Sequence, residues 1–259
     1  MKLLIANDDG ITSEGISALA GALAQEHDIY VCAPSRQRSG TGHGITITEC
    51  VTASEYDFTG AKKAYMMSGT PADCVKMGLM LLNDEGVEID AVFSGINAGG
   101  NIGTDTLYSG TVSAALEGAV CGLPAVAVSI NSLRPKHYGL ATELALRAAR
   151  LDFHGIDSRL VLNINVPDLP TPEVKGVKVT GLGMLGYYDW NVASRDKSGN
   201  LTLRYGGDRI FYDELDADSN DVGASQHGYA TITPIHFDLT SYQLLDKVRE
   251  SGIAEMRGI

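Results

Sequence analysis

Residues 1–34 read MKLLIANDDGITSEGISALAGALAQEHDIYVCAP. Leu3 to Ala6 is a short, continuously apolar run, the pattern of a strand buried on both faces. From about Glu14 to about Glu26, Ile16, Leu19, Ala20 and Leu23 recur at helical spacing, with Ser13 placed to cap them. DIYVCAP is a second buried strand, stopped by Pro34. Strand, helix and strand in this order predict a right-handed crossover into a parallel sheet.

The pattern continues. ITITECV (residues 45–51) alternates like an edge strand, and AYMMS is another apolar run. GTPADCVKMGLMLLN predicts a helix with Thr70 as N-cap and Pro71 at its first position. DAVFSG is a strand, followed by the glycine-rich INAGGNIGTDTLYSG and a helix from about Thr111 to about Cys121. PAVAVSI, YGLATELALRAARLDF and RLVLNINVP add a strand, a helix and a strand. The predicted fold class is α/β: a Rossmann-like, doubly wound, mostly parallel sheet over residues 1–170. Residues 171–259 change character, with β-like VKGVKVTGL, GYYDWNVAS and NLTLRYGG, a hairpin turn at DKSGN, and GYATITPI. TSYQLLDKVRESG closes the chain as a helix. We expect this half to be a β-arm extension and terminal helix whose aromatic residues pack on the core or on a second subunit.

The 259 residues carry a net charge of -12. That argues against a protein held on polymeric nucleic acid by phosphate contacts, which leave a basic footprint. A small anionic substrate remains compatible, because a metal or a helix N-terminus reverses the potential inside one cleft. No apolar run is long enough for a membrane span, and Lys2 leads only four apolar residues, so a soluble, cytoplasmic protein is expected. Cys32, Cys50, Cys74 and Cys121 lack C-x-x-C spacing and read as reduced thiols, not as a zinc site.

In open α/β sheets, ligands bind beyond the carboxyl ends of strands where strand order reverses. The first strand delivers Asn7, Asp8 and Asp9 there; the second delivers Ser35, Ser39 and His43; DAVFSG delivers Ser94 and Asn97. Adjacent Asp8 and Asp9 repel each other unless water, a helix dipole or a cation intervenes. Their position at the strand end, with Gly10 following, favours a cation. Oxygen donors suit Mg²⁺, Mn²⁺ or Ca²⁺. Ser109, Gly110 and Thr111 stand where a helix begins, so their N–H groups and hydroxyls can cradle a phosphate. A metal beside such a cradle describes a phosphoryl site.

Other features carry less. GLGMLG (Gly181, Gly183, Gly186) matches a dinucleotide fingerprint, but no helix pattern follows it. His43 reads as a solvated loop residue or a general acid. Arg36 and Arg38 read as surface or anion-facing groups. The acidic loop with Asp216, Asp218 and Asp221 reads as solvated, or as a second cation candidate.

LIANDDGI, APSRQRSG, SGTPADCV, SGINAGGNIGTDTLYSGTVSAALEGA and GYATITPI together resemble the SurE family, survival proteins that act as 5'/3'-nucleotidases, from residue 1 to about 240. The resemblance implies a Rossmann-like core, a C-terminal β extension used in oligomers (a homodimer or homotetramer), and phosphate release from nucleoside monophosphates. It implies one divalent metal ion per subunit, Mg²⁺ or Mn²⁺, held by Asp8, Asp9, Ser39 and Asn97, with Asp8 and Asp9 catalytic. Asn97, Ser109, Gly110 and Thr111 would hold the phosphate. Ser35 stands where the family often has Asp, and His43 where a small polar residue is more usual, which bears on base and sugar preference. The rivals are a non-catalytic nucleotide- or metal-binding module and a metal-dependent glycosyltransferase. The latter normally needs Asp-x-Asp spacing, which is absent here.

Overall fold

The structure, a computed structural model, describes residues 1–157, 159–187, 190–205, 209–212 and 216–254. In chain order the first half contains β1 (Lys2–Ala6), α1 (Glu14–Leu23), β2 (Asp28–Pro34), β3 (Ala53–Glu55), β4 (Lys63–Met67), α2 (Pro71–Asp84), β5 (Ala91–Ala98), α3 (Gly110–Val120), β6 (Ala125–Ile130), α4 (Gly139–Ala149), α5 (Phe153–Ile156) and β7 (Val161–Val166). β8 (Val177–Val179), β9 (Leu185–Tyr187), β10 (Trp190–Arg195), β11 (Leu201–Tyr205), β12 (Arg209–Phe211), α6 (Asp221–Gln226), β13 (Ala230–Ile235) and α7 (Leu245–Glu250) follow.

One nine-stranded sheet has the order β3-β4-β2-β1-β5-β6-β7-β13-β8. The six strands from β4 to β7 are mutually parallel; β3 and β13 each run antiparallel to an inner neighbour. The α/β, doubly wound expectation therefore holds. β1 lies between β2 and β5, so the chain winds outward in one direction and then in the other. The reversal between β1 and β5 opens the crevice in which strand-end residues meet.

Strand alternation builds two cores. Leu3, Ile5, Val31 and Phe93 pack under α1 and α4 on one face. Leu4, Ala6, Cys32 and Val92 pack under α2 and α3 on the other. α2 starts on a capping box: the Thr70 hydroxyl accepts from Asp73 N at 3.1 Å, and the Asp73 carboxylate accepts from Thr70 N at 2.9 Å.

The expected strand at residues 45–51 does not form. Asp73 takes Thr46 N at 2.9 Å and Thr46 Oγ1 at 2.6 Å, and Ile47 is left 82% exposed. A carboxylate at the start of a helix thus competes successfully with strand pairing for this backbone. The edge strand is β3, further along.

The later part of the chain joins the same sheet through β13 and β8. β10 and β11 form the predicted hairpin, closed by Asp196 N donating to Asn200 O. The tail gives a short α7 after a single 3-10 turn. Tyr188 and Asp189 of the expected aromatic arm, and Asp213 and Glu214 of the acidic loop, lie outside the described residues. None of the described helices is long and apolar enough to cross a membrane.

Candidate active site

Asn7 shapes the turn that exposes the two carboxylates. Its Oδ1 accepts from Gly10 N at 3.2 Å, and its Nδ2 donates to Gly10 O and to Ser13 Oγ. Gly10 has φ +98°, which a side chain disfavours, so the turn needs glycine. Asn7 is therefore a structural residue rather than a ligand.

Asp8 and Asp9, in the turn beyond β1, then take different partners. Asp8, 4% exposed, accepts from Thr111 Oγ1 at 2.5 Å. A β-carbon added to Gly110 would lie 2.7 Å from Asp8 Cβ, so α3 meets Asp8 at a glycine. Asp9 turns the other way: its Oδ2 accepts from Ala98 N at 3.0 Å and its Oδ1 from Gln37 Nε2 at 3.1 Å. Sequence reasoning does not single out Gln37 or the Ala98 N–H, although Gln37 stands inside the quoted APSRQRSG.

β5 reaches this point by an irregular route. Ser94 pairs with Ala127 but Asn97 with Ser129, so β5 carries one extra residue there. Such a bulge re-aims the side chains beyond it. Asn97 Nδ2 donates to Gly99 O at 2.7 Å, and its Oδ1 accepts from none of the described residues. Ser94, also named from sequence, is instead fully buried. Ser39 is exposed in the loop after β2, held near the pair by Arg38 N donating to Asp8 O at 2.7 Å.

At the start of α3, the Ser109 hydroxyl caps the helix by accepting from Val112 N at 3.0 Å. Among the described residues its own proton has no acceptor. Gly110 and Thr111, as first helical residues, have N–H groups without intrahelical acceptors. Thr111 directs both its hydroxyl and its backbone at Asp8.

Burial pushes the Asp8 carboxyl up to about 6, opposed by the Thr111 hydroxyl and reinforced by the charge of Asp9. Burial also raises Asp9, against the bonds from Ala98 and Gln37. Among the described residues, no basic side chain pairs with either; the Arg38 guanidinium donates instead to Ser68 O at 2.6 Å. The set Asp8, Asp9, Asn97 Oδ1 and Ser39 Oγ is a hard-oxygen donor set around uncompensated negative charge, which fits a divalent cation.

The loop leading into α3 is pinned by residues that local sequence pattern misses or misplaces. Asp221, expected in a solvated acidic loop, is fully buried and accepts from Gly103 N at 2.9 Å and Gly183 N at 2.8 Å. Asn101 N donates to Asn165 Oδ1 at 2.8 Å. The Tyr187 hydroxyl donates to Asp105, so this aromatic residue packs on the core loop. His43 is not free either: its Nε2 lies 2.8 Å from Glu117 Oε2, and Lys76 Nζ donates to Glu117 Oε1 at 2.7 Å.

The family model described as survival protein SurE matches residues 3–189. The chain belongs to the SurE family. The SurE relative named 5'-nucleotidase SurE from Syntrophomonas wolfei subsp. wolfei is 42% identical over 253 residues, covering 97% of this chain and 94% of that protein. A protein of the same name from Pelotomaculum thermopropionicum is 41% identical, covering 96% and 95%. The crystal structure of the SurE protein from Aquifex aeolicus matches with a TM-score of 0.80 at 33% identity, covering 97% of this chain and 99% of that one.

Proposed function

We propose that this SurE-family chain is a 5'-nucleotidase that hydrolyses nucleoside 5'-monophosphates to nucleoside and phosphate and depends on a divalent metal. The observation that carries the reading is the Asp8–Asp9 pair, Asp8 buried and Asp9 half-buried with no basic partner among the described residues, set against the N-terminus of α3. The names of the relatives support the substrate class. We extend it to 3'-monophosphates and short polyphosphate as further substrates.

Asp8, Asp9, Ser39 and Asn97 would hold one Mg²⁺ or Mn²⁺ per subunit, which when bound supplies Lewis acidity toward a phosphate oxygen and an acidified water. The chain's own groups do the rest. The Ser109 hydroxyl and the Gly110 N–H bind phosphate oxygens and stabilise the charge that develops on them, and Thr111, held to Asp8, closes the cradle. Thr111 fixes the rotamer of Asp8, while Ala98 N and Gln37 fix that of Asp9. One of these carboxylates takes the proton of the attacking water.

We take residues 1–170 as the catalytic core and 171–259 as an extension that makes a cytoplasmic homodimer or homotetramer. Exposed Leu201, Leu203, Tyr242 and Val248 support an interface there. The deciding experiment is phosphate release from a panel of nucleoside monophosphates by metal-stripped protein, with Mg²⁺, Mn²⁺ or nothing added. Metal-dependent release is expected. Binding of nucleotide without release would make the chain a binding module.

A further inference from the structure

On the α1 and α4 side of the carboxylate pair lies a cleft of about 370 Å³. Asp9 is part of its wall, together with the start of α1, the end of β5 and the loop between β6 and α4. Its volume suits a small ligand. Of the donor set above, only Asp9 lines it.

Two of its side chains, Leu133 and Glu14, have little part in holding the fold. Leu133 is 84% exposed and lies over Gly99, where an added β-carbon would sit 3.5 Å from Leu133 Cδ2. Glu14 is exposed and accepts no hydrogen bond among the described residues. Tyr138 packs partly against the core and also lines the cleft. Burial, then the charges of Glu14, Asp9 and Asp168, push its hydroxyl up.

The turn that follows β1 gives the cleft its relation to the reaction. Asp8 faces α3 and the phosphate cradle, whereas Asp9, one residue on, faces the cleft. A monoester whose phosphate rests on α3 therefore has this space beside it, past Asp9. An aromatic ring and an exposed leucine suit the faces of a flat heterocycle, and a free carboxylate suits vicinal hydroxyls.

We infer that this cleft receives the nucleoside of the substrate, with the base against Tyr138 and Leu133 and the ribose hydroxyls donating to Glu14. The inference rests on the phosphatase reading above.

The test compares wild type with Tyr138→Ala, Tyr138→Phe and Leu133→Ala. The first measurement is kcat/KM for AMP relative to ribose 5-phosphate, which keeps the sugar and phosphate but has no base. That ratio is expected to fall about tenfold or more in Tyr138→Ala, because a stacked base is lost. It should fall in the same direction in Leu133→Ala, and Tyr138→Phe should retain it. Leu133 is almost wholly exposed, so its variant reports even if Tyr138→Ala folds poorly. A ratio unchanged in both alanine variants overturns the assignment.

The second measurement is equilibrium binding of adenosine, which requires no turnover. Saturable binding by wild type that is weakened in Leu133→Ala supports the cleft, and equal or absent binding overturns it. If wild type releases phosphate from neither ester, the phosphatase reading falls, and adenosine binding alone then decides the cleft.

Discussion

Thr111 Oγ1 donates to Asp8 Oδ1 at 2.5 Å, joining residues 103 positions apart. The bond fixes the orientation of a buried carboxylate and favours its ionised form. It also aligns the end of β1 with the start of α3, the two elements on which the proposed chemistry depends.

Thr111→Val should weaken both effects. Without the hydroxyl, Asp8 loses a lowering influence, so its carboxyl rises further and the acid limb of the activity profile moves to higher pH. Loss of a bond that orients a ligand typically costs about 10–100-fold in metal affinity or activity. Thr111→Ser should recover most of it. Metal titration and a pH–rate profile of the three proteins check this. A Val variant with wild-type behaviour would show the bond to be incidental.

Asp8→Asn should abolish turnover yet stabilise the metal-free protein. The Asp8 carboxyl rises from 3.8 to about 6 on folding. The folded state therefore holds the proton more tightly than the unfolded chain, and stability falls as pH rises from near 4 through 6. A rise of that size corresponds to about 3 kcal/mol at pH 7, and to nothing below both values. Thermal unfolding of metal-stripped protein should place Asp8→Asn above wild type at pH 7. The gap should close in acid, and added Mn²⁺ should raise the wild type alone. This is the stability cost expected of a preorganised site.

Much of this site is legible in the sequence because its parts are local. Asp8 and Asp9 end an apolar run, and Ser109 to Thr111 begin a helix; each signal fits within a few residues. Strand order at the switch point then brings them together. What is not legible depends on distant backbone. Asp221 looks solvated among its acidic neighbours, yet its partners are the N–H groups of Gly103 and Gly183, which local composition does not reveal. The alternation at 45–51 carries a strand pattern, yet the Thr46 N–H and hydroxyl go to the Asp73 carboxylate instead of a neighbouring strand. The extra residue in β5 has no local mark beyond Gly95, whose β-carbon would lie 2.2 Å from Val128 O.

Glu117→Gln should lower stability at neutral pH. Glu117 is almost fully buried, and His43 and Lys76 hold its carboxyl below the usual range in spite of burial. A group lowered on folding stabilises above its unfolded value and loses that contribution as pH falls through the folded one. Bonds to a charged group are worth about 2 kcal/mol each before solvent screening, and both partners here are part-exposed, so a loss of about 1–2 kcal/mol is expected. The difference between variant and wild type should shrink as pH falls below the ordinary carboxylate range. Denaturant unfolding at pH 7 and pH 3.5 measures it. Equal losses at both pH values would mean that packing, and not charge, is what Glu117 contributes.

Gly110→Ala should separate geometry from chemistry. The added methyl would lie 2.7 Å from Asp8 Cβ, 2.9 Å from Asp8 Oδ2 and 3.0 Å from Pro71 Cγ. None of these is the end of a long flexible side chain, so α3 or β1 must shift. Alanine is otherwise a better helix former than glycine, and the helix itself should gain slightly. A displacement of about 1 Å in a catalytic constellation can cost about 100-fold in rate. The variant should therefore keep a native circular dichroism spectrum and a cooperative melt while kcat falls by about that factor. Gly21→Ala is the matched control: Gly21 also lies in a helix, α1, and has nothing within 4 Å of its β-carbon position. If Gly110→Ala turns over like wild type, the close approach of α3 to Asp8 is not what positions the carboxylate, and the cradle must act without it.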